Sequence, residues 1–170
     1  MINAQFTFHP ERCVGCGACV MACINENGLD TDAQLPYRLL KNNEYVTEEK
    51  VEVTYFTHGC MHCKDRPCEG KCPRQCFSYN RAAGVVTLDN TMCVGCHACE
   101  RACPYKAISF KDKKAYKCNG CLKNLSRDRV PACVMACPRQ AITIDEKNAV
   151  VDNGLKALKA ELDVWDERRK

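Results

Sequence analysis

Cys13-Val14-Gly15-Cys16-Gly17-Ala18-Cys19-Val20-Met21-Ala22-Cys23 is the stretch that decides this chain. Its spacing, C-x2-C-x2-C-x3-C, returns with variations in three further places. Cys60-x2-Cys63-x4-Cys68-x3-Cys72 is followed by Pro73, Cys93-x2-Cys96-x2-Cys99-x3-Cys103 by Pro104, and Cys118-x2-Cys121-x11-Cys133-x3-Cys137 by Pro138. Residues 13–23 and 93–103 match at eight of eleven positions, so the chain contains an internal repeat. Four groups account for sixteen of the seventeen cysteines.

So many cysteines in a short secreted chain would suit a disulfide scaffold. Here the count is odd, and Met1-Ile2-Asn3-Ala4-Gln5 leads into polar and aromatic residues without the pattern of a secretion signal. Thiols at i, i+3 and i+6 suit one compact metal core better than bridges between distant segments. Structural zinc needs two C-x2-C pairs, whereas a third cysteine follows each pair here and Cys-Pro closes three groups. A C-x2-C-x2-C-x3-C-P run is the bacterial ferredoxin pattern for holding [4Fe–4S] clusters, and four groups supply thiolates for four clusters.

The formal charge of +4 does not point to nucleic acid. A thiolate-held [4Fe–4S] core carries roughly −2, so four of them bring the holoprotein to about −4. Lys64, Arg66, Lys71 and Arg74 stand among the cysteines and are candidates to offset that charge, or simply form a solvated basic face. Aromatic residues are few, so the ordinary core is modest and the apoprotein is expected to be largely unfolded. No apolar run approaches the roughly 20 residues of a membrane span. The expected location is cytoplasmic, with any membrane association through a partner.

Short alternating segments surround the cysteine groups. Phe6-Thr7-Phe8 and Val85-Val86-Thr87-Leu88 precede groups one and three, and Phe77-Ser78-Tyr79, Ala107-Ile108-Ser109-Phe110 and Ala141-Ile142-Thr143-Ile144 follow the closing cysteines. Arg81-Ala82-Ala83-Gly84 and Asp145-Glu146-Lys147-Asn148 read as hairpin turns. Strand, cysteine loop, helical turn and strand is the ferredoxin half-unit, which predicts an α+β fold of tandem ferredoxin-like modules. Small residues at Gly15, Gly17, Ala18, Gly95 and Ala98 let backbone amides approach sulfur. Cys23 is followed by Ile24 instead of proline, predicting a helix through Asn27 that ends at Gly28.

Residues 31–57 carry no cysteine and read as a β insertion, with strands at 36–40 and 50–56 around a charged loop from Lys41 to Glu49. Leu155, Leu158, Leu162 and Trp165 recur at helical spacing, predicting an amphipathic helix over 155–168 within a C-terminal segment of 153–170. That stripe packs either on the chain's own surface or on a partner.

Cys76 falls four residues after Cys72, where the third and fourth groups place Ala107 and Ala141. It reads as a buried free thiol acting as a small apolar side chain, not as a ligand. His62 and His97 lie within cysteine loops and are candidate ligands, as the histidines of Rieske-type centres are. Sixteen cysteines already satisfy every iron, so these histidines are expected to be exposed or to hydrogen-bond around the ligands. His9 and His58 carry no separate signal.

The four groups in this order, with Pro67 before Cys68 and the ending Pro131-Ala132-Cys133-Val134-x-x-Cys137-Pro138, resemble the electron-transfer subunits of DMSO-reductase-type molybdopterin oxidoreductases over residues 5–145. The resemblance implies that outer groups pair with each other and inner groups likewise. One cluster would take Cys13, Cys16, Cys19 and Cys137, and its neighbour Cys23, Cys118, Cys121 and Cys133. The inner pair would use Cys60, Cys63, Cys68 and Cys103, then Cys72, Cys93, Cys96 and Cys99. It implies an outer module from 1–30 and 113–152 enclosing an inner module at 58–112. The implied role is non-catalytic: four [4Fe–4S] clusters relay single electrons between a large molybdenum- or tungsten-pterin catalytic subunit and a second partner. That partner would be a quinone-linked membrane subunit, a flavoprotein or a hydrogenase. A free-standing polyferredoxin shuttle and the cluster subunit of a hydrogenase/formate dehydrogenase assembly are the alternatives. The sequence is short for that family, without the long C-terminal extension of several members.

Overall fold

The computed structural model describes residues 5–32, 35–127 and 129–144. The turn expected at Asp145–Asn148 and the amphipathic helix expected over 155–168 lie outside the described residues. In chain order the elements are β1 (Phe6–Phe8), α1 (Ala18–Asn27), β2 (Arg38–Val46), β3 (Val51–Gly59), α2 (Pro67–Gly70), β4 (Phe77–Asn80), β5 (Val85–Leu88), α3 (Ala98–Ala102), β6 (Ile108–Lys111), β7 (Lys114–Lys117), α4 (Leu122–Leu125), α5 (Ala132–Met135) and β8 (Ile142–Ile144). The strands form four antiparallel pairs, β1–β8, β2–β3, β4–β5 and β6–β7. The architecture is α+β, built from short ribbons and short helices.

The alternating apolar segments become strands, as their period of two predicts. β1 and β8 join distant parts of the chain, with Phe6 opposite Ile144 and Phe8 opposite Ile142. The Arg81–Gly84 turn closes the β4–β5 hairpin, in which Asn80 Oδ1 accepts the Ala83 N–H at 3.0 Å. α1 runs past Cys23 and stops at Gly28, whose φ of 57° and the Leu29 N–H bond to the Ile24 carbonyl (3.0 Å) make a Schellman-type end.

Two elements differ from the sequence expectation. The insertion's strands are longer, with Lys41 opposite Phe56 and Tyr45 opposite Glu52, so most of the expected charged loop is strand. The connection shrinks to Thr47–Lys50, where Thr47 N–H donates to the Lys50 carbonyl at 2.9 Å. The outer half of this ribbon is exposed on both faces, and no buried face imposes the alternation that would have revealed it. β7 is the second case. Its lysines mask an alternation in which Ala115 and Lys117 are buried.

Two apolar clusters fill the interior. Phe6, Phe8, Phe56, Val85, Leu125 and Ile142 pack in one, and Phe77, Val86, Ile108 and Ala115 in the other. Because successive strand residues face opposite ways, β5 sends Val85 to the first cluster and Val86 to the second. β5 is the seam between the two.

Candidate metal centres

Each cysteine loop turns at the residue before its second cysteine. Gly15, Gly95 and Gly120 occupy that position with φ of 70°, 68° and 68°, and His62 occupies it in the second group with φ 49°. Left-handed backbone bends the loop so that two thiols separated by two residues face one hollow. At Gly15 the absence of a side chain also matters, because a Cβ would run into the ring of Tyr55 from β3.

The sixteen thiols gather into four sets. Cys13, Cys16, Cys19 and Cys137 line one hollow, floored by Leu40, Thr57 and Ile142. The thiols that crowd Cys23 are Cys118, Cys133 and Cys121. Cys60, Cys63, Cys68 and Cys103 line a hollow closed by Val86, Tyr105 and Ile108. Cys72, Cys93, Cys96 and Cys99 line the last, against Phe77, Leu88 and Phe110, with Cys76 also at its wall. In each set three thiols belong to one group and the fourth comes from another. α1 carries Cys19 and Cys23 into different sets. The hollows take in about 310–360 Å³ of open space, mouths included. Among the described residues no three His, Cys, Asp or Glu side chains converge on one metal ion.

Amides are aimed at the sulfurs. Cys76, Ala107 and Ala141 each donate a backbone N–H to the closing cysteine four residues earlier, Cys72, Cys103 and Cys137, at 3.4, 3.4 and 3.2 Å. Gly120 donates to Cys118 at 3.3 Å. Cys76 thus makes the same backbone contact as the two alanines, with its buried thiol 3.9 Å from the Arg74 carbonyl.

Burial penalises free thiolates here. It pushes Cys23 and Cys63 up to about 12, with crowding by fellow thiols adding to the effect. Cys60 and Cys118 are desolvated too, yet His62 and Lys117 pull both below the ordinary thiol value. Four thiolates can share such a hollow only around a cation, which is what an iron–sulfur core supplies.

The cations tell the same story from the other side. Arg38 is 6% exposed and Lys117 5%, and among the described residues neither pairs with a carboxylate. Arg38 faces Cys133, Cys118, Cys19 and Cys23, and its Nη1 donates to Thr57 Oγ1 at 3.5 Å. Lys117 faces Cys60, Cys68 and Cys118. A buried cation without an anion is costly, and the thiolate sets with a bound core are the anions at hand. The donor set therefore fits [4Fe–4S] clusters.

The basic residues picked out by sequence hold a different position. Lys64, Lys71 and Arg74 are exposed. Arg66 is half-buried but already engaged, 3.2 Å from Glu69 and stacked over Tyr79. Arg38 lies in the ligand-free insertion, where nothing in the local sequence marks it. Lys117 directly precedes Cys118, a signal that was available. His97 is partly exposed, with Nδ1 2.7 Å from Glu100 and its ring stacked on Phe110. His62, in contrast, is buried.

Comparison with known proteins agrees with this chemistry. A family model for the 4Fe-4S dicluster domain matches residues 51–147, and one for the 4Fe-4S binding domain matches residues 6–26. A tetrathionate reductase subunit of Salmonella typhimurium is 35% identical over 154 residues, covering 78% of this chain and 60% of that protein. A component of the anaerobic dimethyl sulfoxide reductase of Escherichia coli is 30% identical over 136 residues, covering 74% and 65%. Protein NrfC of Escherichia coli is 33% identical over 128 residues, covering 73% and 57%. The chain thus spans about three-fifths of the length of these relatives.

Proposed function

This protein belongs to the 4Fe-4S dicluster domain family, and on that premise we propose that it is the non-catalytic electron-transfer subunit of an oxidoreductase complex. It relays single electrons through four [4Fe–4S] clusters between a molybdenum- or tungsten-pterin catalytic subunit and a second redox partner. The clusters are held by Cys13, Cys16, Cys19 and Cys137; by Cys23, Cys118, Cys121 and Cys133; by Cys60, Cys63, Cys68 and Cys103; and by Cys72, Cys93, Cys96 and Cys99. Cys76 is not a ligand. The first two clusters belong to an outer ferredoxin-like module of residues 1–30 and 113–152, the last two to an inner module of 58–112. The pairing of β1 with β8 and the packing of α1 on α5 support that nesting.

One observation supports the reading: neighbouring contacts link the four sets in series. The first two share α1 and meet where Cys19 neighbours Cys133. The second and third meet where Cys118 neighbours Cys60. The third and fourth share the packed helices α2 and α3. Cys16 and Cys96, in the two end sets, are the exposed ligands, so the row opens to solvent at its ends. That is the layout of a conduit with two terminals.

When bound, each cluster supplies a one-electron centre whose potential follows net charge, hydrogen bonds to sulfur and solvent exposure. The chain's own residues act on those three quantities. Apolar walls of Phe6, Phe8, Val85, Val86, Ile108 and Ile142 exclude water. Backbone amides donate to the closing cysteines, and Arg38 and Lys117 place positive charge between successive sets.

Anaerobic isolation with iron and acid-labile sulfide analysis tests the ligation, with about sixteen of each per chain expected. Zinc without sulfide would overturn it. Native pull-down tests the role. A large subunit containing molybdenum or tungsten, in fixed ratio, is the expected result. A monomer that serves several enzymes would instead make the protein a polyferredoxin shuttle.

A further inference from the structure

His62 departs from its three structural counterparts. The position before the second cysteine of each group has positive φ, and the other three groups fill it with glycine. Histidine is a strained choice there, and strain held in place by its surroundings points to a use for the side chain. The ring is 5% exposed and stacked on Phe6, with centroids 5.8 Å apart. Nδ1 accepts the Val86 N–H at 3.0 Å, so the neutral ring carries its proton on Nε2. That Nε2 makes no well-formed hydrogen bond. The groups it faces are the sulfurs of Cys60 and Cys118, which belong to different sets. Gly120 packs close beside it, where a Cβ would collide with Val85 and stand 3.3 Å from Nε2.

Lys117 reaches the same point from β7. Its Nζ donates to the carbonyl of Val86 and, at 2.7 Å, to that of Cys118. Val86 therefore offers its N–H to His62 and its carbonyl to Lys117, satisfying the outward edge of β5 at the seam between the two apolar clusters. One residue, Val86, ties an N–H donor and an ammonium to the junction of the second and third sets.

We propose that His62 and Lys117, joined through the backbone of Val86, are a positioning pair that raises the reduction potentials of the two middle clusters and so governs the passage of electrons between the two halves of the row. This rests on the four-cluster reading above. Positive charge and an N–H donor beside ligand sulfur both favour the reduced, more negative core. The pair lies beside Cys60 and Cys118, while Cys16 and Cys96 of the end sets lie in other loops, so its effect is confined to two of four couples.

The test is potentiometric EPR on the anaerobically purified holoprotein. The unaltered protein must show four one-electron couples; fewer would defeat the ligation reading and leave nothing for this pair to act on. In Lys117→Met two of the four equilibria shift at least tenfold toward the oxidised form, which is 59 mV for one electron. Lys117→Arg keeps the charge and restores them. His62→Leu shifts the same two couples in the same direction by less. Four unmoved couples, or four couples moved alike, overturn the proposal. If Lys117→Met loses iron, His62→Leu decides, and middle couples that stay in place overturn it. Loss of iron in Lys117→Met and Lys117→Arg alike shows a structural role and also overturns it.

Discussion

Asn27 Nδ2 lies 3.8 Å from the sulfur of Cys23, four residues earlier, and donates to that residue's carbonyl at 2.9 Å. The other three closing cysteines receive a main-chain N–H from the residue four places on. Group one has no proline after Cys23, so its helix continues and the main chain there stays within α1. The side chain supplies the missing donor. Asn119 Nδ2 fixes it by donating to Asn27 Oδ1 at 3.0 Å, across two cysteine groups that share one set.

Replacing Asn27 with leucine should therefore act on one cluster only. One midpoint potential falls, since a donor to ligand sulfur is lost, and holoprotein stability drops by about 1 kcal/mol. A redox titration with four unchanged couples would show that the amide does not reach the sulfur.

Cys76→Ala should be nearly silent. Its backbone N–H contact to Cys72 survives the substitution, and the removed thiol is a small buried group, so the loss is about 1 kcal/mol. Iron content and the EPR spectrum are expected to stay unchanged. Loss of one cluster would make Cys76 a ligand.

Gly15→Ala combines a backbone penalty with a collision. The residue sits at φ 70° and the new Cβ meets the Tyr55 ring, so a loss of about 1–3 kcal/mol is expected. Adding Tyr55→Ala removes the collision and leaves the backbone strain of about 1–2 kcal/mol. Iron retention during urea titration measures both. A double variant no better than the single one would mean the ring is already free to move.

Much of this was legible because metal ligands cannot drift in sequence: three cysteines must present sulfur within one loop, and their spacing records that demand. The thin core made the strands at Phe6–Phe8 and Val85–Leu88 readable too, through simple alternation. Arg38 was not legible, since it reaches the cysteines from a ribbon with no ligand of its own, and its role exists only after folding. Lys117 and His62 were visible as neighbours of cysteines, but proximity in sequence does not distinguish the buried His62 from the partly exposed His97. The length of β2 and β3 was hidden for the opposite reason, because a ribbon wet on both faces has no pattern to display.

Arg38 gives the sharpest contrast between the empty and loaded protein. It is buried against thiols of the first two sets, and burial would lower its pKa were it not for those sulfurs, which hold it above its ordinary value. With neutral thiols around it the guanidinium is an uncompensated buried charge. With a bound anionic core it is a counterion. Arg38→Gln should accordingly leave the largely unfolded apoprotein unchanged, while the holoprotein loses about 3–5 kcal/mol, the cost of removing one partner from a buried ion pair. The clusters of the first two sets should release iron to a chelator first, before those of the other two sets. Chelation of the reduced holoprotein and circular dichroism of the apoprotein measure the two arms. Iron release no faster than in the unaltered protein would show that Arg38 does not serve the charge of the clusters.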